Sequence, residues 1–224
     1  MLIDFHSHIL PRADHGSDSL ATSLKQLELA KAARVGTVVA TPHFYPHKMT
    51  LESFLDRRNK CHSKLAEAYD GPVNIRVGAE VMVCRGLERM EGLEQLCVDS
   101  TNVLLLEMPS GKWSNSLIDT VIELDDDPRF NVVLAHIDRY DISWVKPLID
   151  YGINCQINAV AMVKLFSRKK YLNLIDRGSV VALGSDIHGT EVGYKHYTAA
   201  VRYMGDRTAV VMNRTARLIG GSYR

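Results

Sequence analysis

No cysteine pair in this chain is spaced to hold a metal or to begin a disulfide framework. The four cysteines, Cys61, Cys84, Cys97 and Cys155, are scattered and form no CxxC, so each reads as a buried or inert thiol. None opens the C-x5-R loop of a cysteine phosphatase, because the residues six places on are Glu67, Met90, Val103 and Ala161. The G-x-S-x-G turn that presents a serine nucleophile does not occur. G-x-G-x-x-G and G-x-x-x-x-G-K-[ST] are also missing, which argues against a nucleotide fold. There is little excess charge: 27 Lys and Arg face 26 Asp and Glu, and a net charge of +1 gives no basic field for nucleic acid. No stretch approaches the ~18 consecutive apolar residues of a membrane helix. The opening MLIDFHSHIL has neither the basic start nor the long apolar run of a signal peptide. The expectation is a cytoplasmic protein that is not membrane-embedded and has no nucleic-acid partner.

Short β-rich runs and longer helical patterns alternate along the chain. Strands are predicted at Leu2–Phe5, Thr37–Thr41, Ile75–Ala79, Val103–Leu106, Val132–Ala135, Ile153–Ile157 and Val180–Leu183. Most are nearly continuous Val/Ile/Leu runs, as parallel strands buried on both faces require. Helices are predicted after the capping stretch Ser17–Ser19, from about Thr50 to Tyr69, and over Asn115–Leu124, Trp144–Tyr151, Tyr171–Arg177 and Thr208–Ile219. Gly36, Gly152 and Gly178 each precede a strand, where left-handed helix caps belong. With 224 residues, no linker and no repeat, this pattern fits one α/β domain over 1–224. It predicts a closed or nearly closed parallel barrel, with an open doubly wound sheet as the alternative.

The chemistry stands at the strand ends. Asp4, His6 and His8 accompany the first strand, His43 follows the second, and Glu80 and Glu107 end the third and fourth. His136 follows the fifth, and Asp186 and His188 follow the seventh. In a parallel barrel these ends share one rim, the rim that carries active sites. His, Asp and Glu are ligands for Zn, Mn or Fe. Two residues apart on an extended segment, His6 and His8 face the same side and can grip one ion. A lone His or a carboxylate after a strand is ordinarily structural; this many on one rim point to a polynuclear metal site. His47, His62 and His196 lack the register. Arg168-Lys169-Lys170 reads as a solvated helix face, and Asp125–Asp127 as a polar helix end.

The opening IDFHSHILPRADHGSDSLATSLKQLELAKAARVGTVVATPHF carries a resemblance, continued by VGAEV around Glu80, LLLEMP around Glu107, AHIDRY around His136 and Arg139, and GSDIHG around Asp186 and His188. In this order, over nearly the whole chain, these motifs resemble the bacterial PHP-type (polymerase and histidinol phosphatase superfamily) protein tyrosine phosphatases of capsule and exopolysaccharide operons. The resemblance implies a distorted (β/α)7 TIM-like barrel. It also implies two to three divalent ions, manganese first, with iron or zinc as alternatives. By position His6, His8, Glu80 and Asp186 would hold one ion, Glu80, Glu107 and His136 a second, and His15, His43 and His188 a third. Arg139 would bind the substrate phosphate, with Asp186 or His188 as the proton donor. The implied partner is a phosphotyrosine protein, the tyrosine-rich tail of an autophosphorylating kinase. Other PHP phosphoesterase activities (on histidinol phosphate, a nucleotide or a sugar phosphate) and a weakly active regulatory role are the alternatives.

Two positions depart from the family pattern. His15 stands in Asp14-His15-Gly16 where the family has a second aspartate, with Asp14 as a fallback ligand. Gly193 stands about where a second phosphate-binding arginine is common, which leaves Lys195 or His196 to compensate, Arg202 or Arg207 to fill the role from the following helix, or the second clamp missing.

Overall fold

The computed structural model describes residues 1–189 and 192–220, so the span 221–224 of the expected domain lies outside the described residues. Nine strands form seven staves. They are β1 (Leu2–Ser7), β2 (Val35–Ala40) continued by β3 (His43–Phe44), β4 (Asn74–Val77) continued by β5 (Glu80–Met82), β6 (Val103–Glu107), β7 (Asn131–Leu134), β8 (Asn154–Asn158) and β9 (Val180–Gly184). All pairs are parallel, in the orders β1-β2-β4 and β3-β5-β6-β7-β8-β9. The two sheets are stitched together by Thr41 N–H to Ser7 O (2.9 Å), Gly78 N–H to Ala40 O (2.9 Å) and Glu80 N–H to Pro42 O (3.1 Å). Asp186 N–H to Ser7's neighbour His6 O (2.8 Å) and His8 N–H to Ile187 O (3.2 Å) bring the last stave back to the first. The result is the distorted seven-stave barrel.

The second and third staves differ from the sequence reading, which ended each as one strand before His43 and at Glu80. The chain breaks at Pro42, which has no N–H to give, and at Gly78, where an added Cβ would sit 3.2 Å from Val98 Cγ2. His43 and Glu80 therefore open the short continuation strands β3 and β5 instead of following long ones. Val38, Val39, Leu104, Leu105, Val132, Val133 and Leu134 are all fully or almost fully buried, as strands covered on both faces must be.

The covering helices are α1 (Leu20–Ala32), α2 (Leu51–Ala68), α3 (Asn115–Asp126), α4 (Ile142–Tyr151), α5 (Ala159–Val163), α6 (Leu165–Arg177), α7 (Val192–Met204) and α8 (Arg207–Leu218). Ser19 and Thr50 cap α1 and α2 by accepting the N–H groups of Thr22 and Ser53. Gly152 and Gly178 end α4 and α6 in the left-handed region at φ +115° and +93°. Gly36 is not a cap: it lies inside β2, and Arg34 takes the left-handed position at φ 62°. Between β5 and β6 two 3-10 turns, Leu87–Arg89 and Leu93–Leu96, replace an α-helix. The helices α5 and α7 escaped the sequence reading. The first is a single short turn, and α7 is rich in Tyr, Val and Thr, residues of low helical preference. In the basic run only part is solvated: Arg168 Nε donates to Met162 O at 2.7 Å and its guanidinium lies 3.6 Å over the Tyr203 ring. Burial pushes the Cys97 and Cys155 thiols up to about 12.

Gly184, the last residue of β9, is where the fold presses on the rim. A Cβ there would lie 2.6 Å from His6 Cβ and 2.7 Å from Gln156 Nε2. Gly184→Ala is expected to cost about 1–3 kcal/mol through overpacking, a Tm loss of roughly 3–10 °C for a chain of this size. An unchanged melting curve would show that β1 and β8 can move apart freely at this level.

Candidate metal centre

The rim gathers its donors by the alternation of strand side chains. His6 on β1 and His8 just past its end are almost fully buried, with their Nε2 atoms turned toward each other. Their Nε2 atoms lie 3.1 Å apart. Glu80 Oε2, from the start of β5, is 3.2 Å from each. Asp186 Oδ1, just beyond β9, is 3.8 Å from His6 Nε2 and 3.4 Å from His8 Nε2. A tetrahedral shell with metal–ligand bonds of ~2.1 Å has donor–donor edges of about 3.4 Å. The two imidazoles therefore lie at the spacing of a shared cation from each carboxylate, and His6, His8 and Asp186 bring ligand atoms within 4.8 Å of one another.

The far nitrogens of both histidines are already engaged. His6 Nδ1 faces Gln156 Oε1 at 3.2 Å, and His8 Nδ1 faces Asp14 Oδ2 at 2.6 Å. With Nδ1–H donating outward, each ring presents its Nε2 lone pair to the cluster, the arrangement that metal-binding histidines adopt. Glu80 Oε2 and Asp186 Oδ1 are buried and make no hydrogen bond. This donor set fits a divalent cation.

Two further groups share these residues. His136 Nε2 lies 2.6 Å from Glu80 Oε1 and 3.6 Å from Glu107 Oε1, and His43 Nδ1 lies 2.9 Å from Glu80 Oε2 and 3.6 Å from Glu107 Oε2. His8, His43 and His188 also bring ligand atoms within 4.8 Å of one another. His43 thus stands between two groups, a sharing that the positional reading did not foresee. His15 belongs to none of the close groups. It is solvent-exposed, parallel to His43 at 9° with centroids 4.8 Å apart, and 4.8 Å from His188.

The electrostatics show how strongly the carboxylates dominate. Burial alone would depress His6 and His8, but Glu80, Asp186 and Asp14 hold both imidazoles above their ordinary value. Burial likewise opposes ionisation of Glu80 and Asp186, yet the surrounding histidines, and Arg139 in the case of Asp186, hold both carboxyls well below the usual range. Glu107 goes the other way: burial and the Glu80 charge push it up to about 7. Burial and the His8 charge bring His188 down to about 4. A field that raises the affinity of imidazole for a proton offers the same attraction to a metal ion.

The supporting residues were largely missed in the sequence. Gln156 Oε1 accepts the His136 N–H at 2.6 Å, Gln156 Nε2 donates to Asn158 Oδ1 at 2.9 Å, and Asn158 Nδ2 donates to Asp186 Oδ2 at 2.7 Å. Two amides with period two in an otherwise buried strand were the available signal. Asp14 is a positioning residue: Oδ2 holds His8 and accepts the His43 N–H at 3.0 Å, and Oδ1 accepts the Gly16 N–H at 2.9 Å. Asp4 accepts the Ser185 N–H at 2.7 Å, and burial raises its carboxyl to about 6.

Arg139 lies on the 3-10 turn Ile137–Arg139 after β7, half exposed, and donates to Asp186 Oδ2. Among the described residues it is the one Lys or Arg paired with a cluster carboxylate. Gly193 faces the barrel wall, with an added Cβ 3.0 Å from Ile187 Cβ. Lys195 borders a surface groove with Leu29, Ala33 and Thr198, away from the donor groups. Arg202 lies over Tyr203, and Arg207 pairs with Asp176 at 2.7 Å. His62 lines a separate surface pocket with Tyr69 and Pro72.

Tyrosine-protein phosphatase CpsB of Streptococcus pneumoniae is 27% identical over 213 residues, covering 85% of this chain and 84% of its own. Tyrosine-protein phosphatase YwqE of Bacillus subtilis (strain 168) is 22% identical over 233 residues, covering 97% and 91%. A crystal structure from work on YwqE of Bacillus subtilis and CpsB of Streptococcus pneumoniae, described as unique metal-dependent tyrosine phosphatases, superposes with a TM-score of 0.80 at 20% identity, covering 99% of this chain and 96% of that one. The family model for capsular polysaccharide synthesis, CpsB/CapC, matches residues 2–214. The chain belongs to the CpsB/CapC family of capsular polysaccharide synthesis proteins.

Proposed function

We propose that this chain is a metal-dependent protein-tyrosine phosphatase of capsule or exopolysaccharide synthesis, acting on the tyrosine-rich tail of an autophosphorylating kinase. The observation that carries the reading is the convergence of His6, His8, Glu80 and Asp186 on one point, with Arg139 beside it. The names of the CpsB and YwqE relatives support the substrate class.

His6, His8, Glu80 and Asp186 would hold one cation, and Glu80, Glu107 and His136 a second, with His43 adjoining it. His8, His43 and His188 make a third group, and His15 is the outermost donor of the site. Manganese suits this nitrogen and carboxylate set, as iron and zinc do. Bound divalent ions supply an activated water and neutralise phosphoryl oxygens. The residues do the rest. Arg139, half exposed beside Asp186, would bind the phosphate with its planar fork. The leaving phenolate, with a pKa of ~10, needs little help, and Asp186 or His188 would be the group to deliver a proton if one is needed.

Metal analysis of protein purified without chelator is expected to find two or more divalent ions per chain, on the order of one per donor group. EDTA should abolish turnover of phosphotyrosine, and iodoacetamide should leave it intact, because burial holds every described thiol above its ordinary pKa. Turnover lost on alkylation with metal retained would overturn the reading. Efficient hydrolysis of L-histidinol phosphate without activity on phosphotyrosine would move the chain to another phosphoesterase class.

Arg139→Ala is expected to lower phosphotyrosine turnover about 10²–10³-fold through loss of a transition-state contact. The metal content should stay unchanged. A wild-type rate would remove Arg139 from phosphate binding, and metal loss would make it a positioning residue for Asp186.

A further inference from the structure

The three segments that carry His43, Glu80 and Glu107 do not stop at the donor cluster. Two residues further along each stand Tyr45, just past β3, Met82, which ends β5 on the same face as Glu80, and Pro109, just past β6. Met82 pairs in register with Glu107, and Val83 N–H donates to Glu107 O at 2.8 Å, so these walls are fixed to the cluster by backbone. Together with Lys48, Cys84 and Arg85 they line a groove of about 540 Å³. Tyr45 is the shared wall: its ring stacks on His43 at 5.1 Å and 18° while bordering the groove.

The groove has a half-buried apolar floor and a cationic edge. Lys48 and Arg85 are solvent-exposed, and neither is paired with a carboxylate among the described residues. Lys48 Nζ lies 4.6 Å over the Tyr45 ring, which holds the ammonium at the groove's edge. No described residue lining the groove is Asp or Glu. The nearby Glu88 is already engaged, by Arg89 at 2.5 Å and by Thr120 Oγ1 at 3.1 Å. A phosphate ester alone would occupy the donor cluster and leave this volume empty, whereas a chain continuing from a phosphotyrosine would run into it.

We propose that this groove seats the residues flanking the phosphotyrosine of the substrate protein, and that Lys48 and Arg85 select flanks bearing carboxylates. The inference rests on the phosphatase reading above and adds sequence selectivity to it. Its energetic origin is modest and screenable, because both cations are exposed: an attraction of this kind is worth a fraction of a kcal/mol per pair and weakens as salt rises.

The test compares kcat/KM for free phosphotyrosine with that for two phosphotyrosine peptides identical except for Glu or Lys at the flanking positions. For the wild type the Glu-flanked peptide is expected to be favoured over the Lys-flanked one, and the preference should shrink between low and high salt. In Lys48→Glu/Arg85→Glu the ratio of Glu-flanked peptide to free phosphotyrosine should fall roughly three- to tenfold, mainly through KM. Lys48→Gln/Arg85→Gln should show a smaller fall in the same direction. Activity on free phosphotyrosine with no flank preference, or a preference that both double variants keep, overturns the groove while leaving the phosphatase reading intact. Wild-type protein loaded with manganese that hydrolyses neither free phosphotyrosine nor the peptides overturns the phosphatase reading and this proposal with it.

Discussion

The Glu80 carboxylate is the interaction on which the rest of the rim depends. It is fully buried, with Oε2 within 3.2 Å of His6 and His8 and 2.9 Å of His43, and with Oε1 2.6 Å from His136. A lone buried carboxylate would cost several kcal/mol and would protonate. Here the opposite holds: the imidazoles around it keep Glu80 ionised, and it in turn raises His6. Such mutual dependence explains why its neighbours come from β1, β3 and the end of β7, since no single element could surround one carboxylate with four imidazoles. It also explains the opposite behaviour of Glu107. Burial and the ionised Glu80 beside it push this second carboxylate up to about 7, and its imidazole contacts, at 3.6 Å to His43 and His136, are longer than those that hold Glu80 down. A divalent ion would offset the charge of both carboxylates, so the donor geometry and the electrostatics point to the same residues.

Around this centre the barrel supplies a layer of hydrogen bonds whose work is to aim side chains. Asp14 fixes His8 and, through its backbone contact, the start of β3. Gln156 and Asn158 on β8 connect His6, His136 and Asp186 in one chain of amides. Gly184 and Gly16 let these layers approach; at Gly16 an added Cβ would meet His8 Cβ at 2.2 Å. The segments that carry His43, Glu80 and Glu107 also carry the groove walls Tyr45, Met82 and Pro109 two positions later, so the donor cluster and the neighbouring groove share the same stretches of backbone.

Much of this was legible in the sequence because its signals are local. Val/Ile/Leu runs marked the buried staves, and a His or carboxylate at the end of every strand but Ile153–Ile157 marked the rim. Ser19 and Thr50 marked helix starts. What was illegible depends on contacts between elements. The break at Gly78 reflects packing against Val98, some twenty residues away, which no window over β4 contains. Asp14 read as a spare ligand because its role is set by the distance to His8 Nδ1. Gln156 drew no notice inside a strand otherwise read as plain core. Helix α7 was missed although Tyr194, Tyr197, Ala200 and Met204 recur at helical spacing, because its tyrosines and valines weaken the local helical preference. Gly193 looked like a lost phosphate contact, but its close approach to Ile187 gives the glycine a packing reason of its own.

Two candidate ligand residues sit in backbone conformations that side chains avoid. His136 has φ 30° and Asp186 has φ 51°, both left-handed and neither glycine. Each such residue costs about 1–3 kcal/mol unless its surroundings over-determine it. Here they do. The His136 N–H is held by Gln156 Oε1 and its carbonyl by Arg139 N–H at 2.8 Å, while the Asp186 N–H is held by His6 O at 2.8 Å and its carboxylate by Asn158 and Arg139. The turn at His136 also carries the chain straight into the 3-10 segment that presents Arg139, and the turn at Asp186 leads directly to His188. A relaxed, extended backbone at either place would send the next side chain to the opposite face. The strain therefore lets one short segment aim a buried donor inward and, within three residues, a second functional group at the mouth of the same site. Amides on β8, which touch no substrate in this arrangement, hold that strain in place.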